Sequence, residues 1–307
     1  MSDIPSDCPG VNSESAGKSS TCAGCPNQKI CASGEGPQKD PSITLISSRL
    51  SSVKSVILIL SGKGGVGKSS VSAQLAYTLS NNPDLQVGLL DIDICGPSQP
   101  HLMNMRNEEV HSSASGWSPV YHEDFPNLGV MSIGFLIPSS NEPVIWRGPR
   151  KNGLIKQFLT DVDWGNLDYL LIDCPPGTSD EHLSIASFLS EVPQKAAIVV
   201  TTPHELSLLD VRKEIGFCSK TNIPIIGVVE NMSGFLCGNC EKIENLFGDS
   251  AGVEQMCQEF SIPKLSSIPI SGSISQATQQ GKSLKSGLEF NIYNTLSQKV
   301  QQYFTNS

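Results

Sequence analysis

An α/β fold, a mainly parallel β-sheet flanked by helices and preceded by a cysteine-rich extension, is what this sequence predicts. Short aliphatic runs recur along the chain and end in glycine-rich or acidic loops, as expected of parallel strands buried on both faces. Between the first such run and a segment of helical period lies Gly62-Lys63-Gly64-Gly65-Val66-Gly67-Lys68-Ser69, which fits the phosphate-binding pattern G-x4-G-K-S without a gap. Residues 1–40, by contrast, are rich in Ser, Gly, Pro and Cys and show no apolar period of either kind. The expected division is therefore a cysteine-rich segment over 1–40 and a nucleotide-binding domain over 41–307.

In chain order, Ser42 to Leu50 carries a weak helical pattern through Ile43, Ile46 and Leu50. Val56 to Leu60 reads as a buried strand, and Val71, Leu75 and Leu79 recur at helical spacing behind the glycine loop. In that setting the loop's N–H groups can curl around phosphate oxygens, and the N-terminal end of the helix favours negative charge. Lys68 then pairs with the terminal phosphates, Ser69 is placed to hold Mg2+, and Ser70 completes the loop. The ligand expected is ATP or GTP.

Asn81-Asn82-Pro83-Asp84 breaks the chain before a strand over Val87 to Leu90. Asp91 and Asp93 follow at its carboxyl end, where parallel sheets bind their ligands. Their i, i+2 spacing predicts one shared direction, towards the phosphates, for positioning water or the Mg2+ shell. Leu128 to Ile133 is a further strand, Pro138 to Gly153 a Pro/Gly-rich stretch, and Trp146-Arg147-Gly148-Pro149 a turn. Leu167 to Ile172 delivers Asp173 and then Cys174-Pro175-Pro176-Gly177-Thr178. An acid after an aliphatic strand is a Walker B arrangement, orienting Mg2+ through water, and the Pro-Gly segment can respond to the γ-phosphate.

Strands over Ala196 to Thr201 and Ile225 to Glu230 bracket a helix over Glu205 to Phe217. The chain closes with a strand around Lys264 to Ile268 and a helix carrying Ile292, Leu296 and Val300.

The ten cysteines fall into distinct groups. Cys8, Cys22, Cys25 and Cys31 are spaced C-x13-C-x2-C-x5-C, and four thiolates in so short a segment can close one tetrahedral zinc site or ligate one cubane iron-sulfur cluster. One knuckle with outlying cysteines leans towards the cluster. Cys237 and Cys240 form a second C-x2-C, and two thiolates do not complete a four-coordinate site. A two-fold dimer would bring two pairs together and supply four. A redox-active thiol pair or a zinc knuckle is the alternative. Cys218 and Cys257 read as small core side chains, and the pattern assigns no role to Cys95 or Cys174.

A formal charge of −9 with no lysine-arginine run argues against general binding to nucleic acid or anionic membranes, and no apolar run approaches membrane-spanning length. The start lacks a basic or apolar targeting signal, so a cytoplasmic, reducing location is expected.

The second lysine within the loop, Lys63, resembles the deviant Walker A of the nitrogenase-iron-protein and Mrp-like ATPases. Taken with the four-cysteine extension, the run from Asp91 to Ser98, Cys174-Pro175-Pro176-Gly177-Thr178-Ser179-Asp180-Glu181, Thr201-Thr202-Pro203 and Asn231-Met232-Ser233-Gly234-Phe235 ahead of C-x2-C, nearly the whole chain is similar to the Mrp/NBP family, in its longer, cysteine-extended eukaryotic form. The resemblance implies an ATPase that assembles [4Fe-4S] clusters for cytosolic and nuclear apoproteins. It implies a transient cluster bridged across a dimer by Cys237 and Cys240, and a firmer one on Cys8, Cys22, Cys25 and Cys31. Lys63 would reach the partner's nucleotide, Asp93 would position water, Asp91 and Asp173 would support the Mg2+ shell, and Asn231 would sit near the adenine. The implied partners are a second copy, the shorter paralogue, and cluster-transfer proteins. The chain departs from the family's C-P-x-C at Gly238, and from its frequent aspartate near Ile270-Ser271. The rival reading, a zinc-stapled ATPase of the partitioning or signalling type, leaves both cysteine groups without a cluster to carry.

Overall fold

The computed structural model describes residues 15–23, 25, 28–32, 40–137, 148–240, 242–246 and 251–306. Two compact units divide the chain at Ile43/Thr44. In the first, a short 3-10 turn (Ser20–Cys22) precedes helix α1 (Gln28–Ala32). Gly17 adopts φ +71°, and a Cβ there would overlap the Ala32 backbone, so this turn requires glycine. Helix α2 (Ser42–Arg49) leads into the second unit.

The second unit is built on a nine-stranded sheet with helices on both faces, beside a small antiparallel pair at Ser112–Ser113 and Gly116–Trp117. Its strands are β1 (Val53–Leu60), β2 (Val87–Asp91), β3 (Val120–His122), β4 (Phe125–Ser132), β5 (Leu167–Asp173), β6 (Lys195–Thr201), β7 (Ile225–Leu236), β8 (Ile243–Glu244) and β9 (Lys264–Ile270). They lie in the order β8-β7-β6-β1-β5-β2-β4-β3, with β9 also paired to β7. All pairings are parallel except β3 with β4 and β8 with β7. Alternation along β1 explains its aliphatic run: Ile57 and Ile59 join the core under α3 (Lys68–Ser80) and α10 (Leu288–Thr305), while Val56, Leu58 and Leu60 join the core under α5 (Gly148–Asp161) and α6 (Asp180–Phe188). A third cluster packs α7 (Glu205–Lys220) and α8 (Ala251–Glu259) against Val199 and Val228, and Cys257 and Cys218 are buried as small core side chains. The remaining helices are α4 (Gln99–Leu102) and α9 (Gly272–Gln280).

The expected strands are present, but two expectations are corrected. Gly148-Pro149 opens α5 rather than closing a turn, because proline is tolerated in the first helical turn, where its missing N–H is not needed; Trp146 and Arg147 lie outside the described residues. The strand expected to end at Glu230 continues to Leu236 through a bulge at Met232, whose φ is +57°, and its extension pairs with β8. Among the described residues no helix is long and apolar enough to cross a membrane.

Candidate nucleotide and thiolate site

Parallel register places the chemistry at the carboxyl ends of three adjacent strands. Ile59 of β1 lies opposite Asp173 of β5, and Asp91 of β2 lies opposite Asp173 on the other side. The glycine loop leaves β1 here, with Gly65 and Gly67 both at φ +81°. Glycine suits the left-handed φ of residue 67, and a Cβ there would also displace the Asn231 side-chain amide. The loop, together with Asp93, Gly96, Ser98, Leu102 and Pro176, lines a cavity of about 340 Å3. Lys63, Lys68, Ser69 and Ser70 all line it.

On its floor Lys68 Nζ donates to Asp173 Oδ1 at 2.5 Å and to Ser69 Oγ at 3.2 Å. Burial works against this ammonium, but the charge and hydrogen bond of Asp173 outweigh it and hold the Lys68 pKa above its ordinary value. Asp173 also accepts from Ser72 Oγ (2.9 Å) and from Gln99 Nε2 (2.8 Å), and Gln99 donates to the Ser69 carbonyl as well. The loop after Asp173 is tied back to the phosphate loop, Gly177 N–H donating to Ser61 O at 2.8 Å.

The two aspartates at the carboxyl end of β2, Asp91 and Asp93, do not act alike, contrary to their expected shared direction. Asp91 is fully buried and absent from the cavity lining. Its carboxylate accepts from the N–H groups of Asp93, Ser98 and Gln99 and from Ser132 Oγ. Burial first, then the neighbouring Asp173 charge, push its pKa up to about 7. Asp93 lines the cavity, with its pKa raised by burial. The strand ends at Asp91, so its two-residue alternation no longer governs residue 93.

Asn231 lies beside the phosphate loop, its Nδ2 donating to Val66 O at 2.8 Å. The same strand, β7, then runs to Cys237, whose N–H closes the knuckle on Lys242 O at 3.0 Å. Backbone N–H groups of Asn239 and Cys240, with the Cys240 thiol, lower the Cys237 pKa, as a thiolate ligand requires. Cys240 is exposed and Cys237 half-buried.

In the first unit Cys22 is buried and Cys25 and Cys31 half-buried, with Cys25 N–H closing a turn on Cys22 O at 3.1 Å. Cys8 lies outside the described residues. Among those described, no three His, Cys, Asp or Glu side chains converge as a ready metal site. Cys174, without an assigned role, is a fully buried thiol donating to Ile172 O, its pKa pushed well up by burial; Cys95 is exposed. Ser271 caps α9 by accepting from Ile274 N–H at 3.1 Å. Gln99, Ser72, Ser132 and His182 escaped the sequence reading. They are single polar residues without a motif, brought in by tertiary packing. His182, its pKa lowered by burial to about 4, uses neutral Nδ1 to accept from Ser179 N–H at the start of α6.

Residues 52–303 match a family model described as ParA, the NUBPL iron-transfer P-loop NTPase. A curated relative from Caenorhabditis briggsae, "Cytosolic Fe-S cluster assembly factor NUBP1 homolog", is 54% identical over 288 residues, 92% of this chain and 91% of that protein. Among solved structures, a nucleotide-binding protein from Archaeoglobus fulgidus in complex with ADP is 34% identical with a TM-score of 0.69, covering 81% of this chain and 95% of that one. The MinC:MinD cell division complex of Aquifex aeolicus gives a TM-score of 0.59 at 19% identity over 81% of this chain and 96% of that one, which shows the shared fold alone. The gapless phosphate loop, the acids at the ends of β2 and β5 and the extent of these matches agree: the chain belongs to the ParA family of NUBPL-type iron-transfer P-loop NTPases.

Proposed function

We propose that this chain is an ATP-dependent scaffold that assembles [4Fe-4S] clusters and passes them to cytosolic and nuclear apoproteins. The observation that carries the reading is the path of β7. One strand touches the phosphate loop through Asn231 and, six residues on, presents a C-x2-C knuckle whose amides favour thiolate. Movement of the loop is thereby communicated to the thiolates. With two donors per chain, the knuckle calls for a second copy to complete four ligands around the cluster, which is the protein's cargo. The C. briggsae relative is named as a cytosolic iron-sulfur assembly factor, and the same compartment and partners, including the shorter paralogue and cluster-transfer proteins, are inferred here.

In the ATPase cycle the loop amides and Lys68 bind the phosphates. Lys68, held by Asp173, is shared between that carboxylate and the arriving γ-phosphate. Ser69 supplies a hydroxyl for Mg2+, and Asp173 fits the metal's water shell. Asp93, at the cavity wall, is the group that orients the attacking water. Asp91, spent on three loop amides, positions Asp93 instead of meeting the metal. Lys63 reaches towards the partner's nucleotide. The cysteines of the extension, Cys8, Cys22, Cys25 and Cys31, supply an all-thiolate donor set suited to a resident [4Fe-4S] cluster.

Anaerobic reconstitution with iron and sulfide tests the reading. Wild type should retain about one and a half clusters per subunit and Cys237→Ala/Cys240→Ala about one, following ligand count and two-fold sharing. Zinc retention without sulfide would instead leave a zinc-stapled ATPase.

A further inference from the structure

We propose that Gln99 is a positioning residue for the divalent cation of the nucleotide site: its amide nitrogen locks Ser69 to Asp173, and its amide oxygen is the acceptor left open for a water of the cation's shell. Gln99 opens α4 and is fully buried. Asp91 brings it in, because Asp91 Oδ2 accepts from the N–H groups of Ser98 (3.1 Å) and Gln99 (3.2 Å) and folds the loop after β2 back over the strand ends. With its backbone so anchored, the side chain reaches two other elements. Nε2 donates to the Ser69 carbonyl in α3 at 3.1 Å and to Asp173 Oδ2 at the end of β5 at 2.8 Å. Both amide hydrogens are thereby used, and the Ser69 carbonyl, which can only accept, fixes which end of the amide faces it.

The two partners are the groups that serve the cation, the Ser69 hydroxyl as a ligand and Asp173 through the water shell. Lys68 Nζ also bridges them, at 3.2 Å from Ser69 Oγ and 2.5 Å from Asp173 Oδ1, but an arriving γ-phosphate competes for that ammonium. Gln99, a neutral donor on the other oxygen of the same carboxylate, keeps the pair together as Lys68 is drawn away. The far end of the amide supplies a second, independent observation. Oε1 is buried and has no hydrogen-bond partner among the described residues. An unpaired buried carbonyl costs stability, so pinning the fold does not by itself account for this side chain. Mg2+ characteristically keeps several of its waters, and these present donors outward to an acceptor of this kind.

The inference rests on the ATPase reading, but its test reads binding rather than turnover. Binding of the non-hydrolysable analogue AMP-PNP to the full-length chain is titrated calorimetrically in Mg2+ and in EDTA. Gln99→Met, similar in length and without donors, should raise the Mg2+ needed to half-saturate the complex roughly 10-fold, and leave affinity in EDTA within about 2-fold of wild type. Gln99→Asn, whose amide is drawn back by one methylene, should show the same selective loss, and decides the matter if Gln99→Met does not fold. With Mn2+ as the probe ion, the electron paramagnetic resonance spectrum of the AMP-PNP complex should differ between wild type and variant, because the shell loses an acceptor. Equal loss of affinity with and without Mg2+, a Mg2+ requirement like that of wild type, or an unchanged Mn2+ spectrum would overturn the role. Wild type that binds the Mg2+ complex but does not hydrolyse ATP would refute the ATPase reading alone, and wild type that binds no nucleotide would refute both.

Discussion

Lys68 and Glu214 show how burial sets opposite demands on charge. The Lys68–Asp173 pair is nearly sealed, with side chains 6% and 0% exposed. Lys68→Ala would leave a buried carboxylate without its cation, a change that typically costs about 3–5 kcal/mol. We expect both a lower Tm and loss of nucleotide binding, read by thermal unfolding and by ATP titration; Lys68→Ala protein with wild-type Tm would show that the pair contributes only to binding. Glu214 in α7 is fully buried, and neither carboxyl oxygen has a hydrogen-bond partner among the described residues. Burial pushes its pKa up to about 8 from 4.5, so the folded state holds the proton more tightly than the unfolded chain. Its contribution to stability is then fully present below pH 4.5 and is lost as pH rises through about 8, at no more than about 1.4 kcal/mol per pH unit. Glu214→Gln should flatten the fall of stability between pH 6 and 8, measured by urea unfolding across that range; an unchanged slope would locate the fall elsewhere.

At the scale of elements, the sequence makes the sheet legible because parallel strands covered on both faces must be continuously aliphatic: Val56 to Leu60, Leu167 to Ile172 and Ala196 to Thr201 are each the core of an observed strand. Helices that depend on caps and packing were harder to see. The first turn of α5 is masked by Gly148-Pro149, and α6 opens with a capping box that uses His182 in place of the usual Glu or Gln. The phosphate loop was readable residue by residue, since local backbone geometry performs its chemistry. The Asp91 bonds were not, since they depend on where the loop folds back to Ser98 and Gln99. The knuckle at the end of β7 allows a prediction of its own. Gly238 does not occupy the left-handed region, a Cβ there would meet nothing within 4 Å, and among the described residues its N–H makes no backbone hydrogen bond outside the regular elements. Gly238→Pro should therefore be accepted, restricting the unfolded chain by about 0.4–1 kcal/mol and slowing cluster loss to a chelator. Faster loss would mean that the glycine conformation is needed by the ligated knuckle.

For the whole molecule, the decisive question is whether the second cysteine pair is completed within a subunit or between two. The ligand count distinguishes these through mass action. Mixing unloaded wild type with Cys237→Ala/Cys240→Ala chains, and allowing subunits to exchange before iron and sulfide are supplied, produces paired wild-type knuckles in proportion to the square of the wild-type fraction. A site closed within one chain would follow that fraction linearly. At equal mixing, the sulfide held above that of the pure double variant should therefore be about one quarter of its pure wild-type value for a shared site, against about one half for a private one. On the proposed reading, any sulfide held by the extension is the same for every chain and cancels in the difference. Repeating the mixture with Mg-ATP should preserve the quadratic form while changing the rate at which a chelator removes the shared cluster, because β7 joins the phosphate loop to the knuckle through Asn231. Asn231→Ala should weaken that nucleotide dependence without altering the stoichiometry. A linear mixing curve would remove the dimer from the mechanism, and a quadratic curve insensitive to nucleotide would remove β7 as the connection.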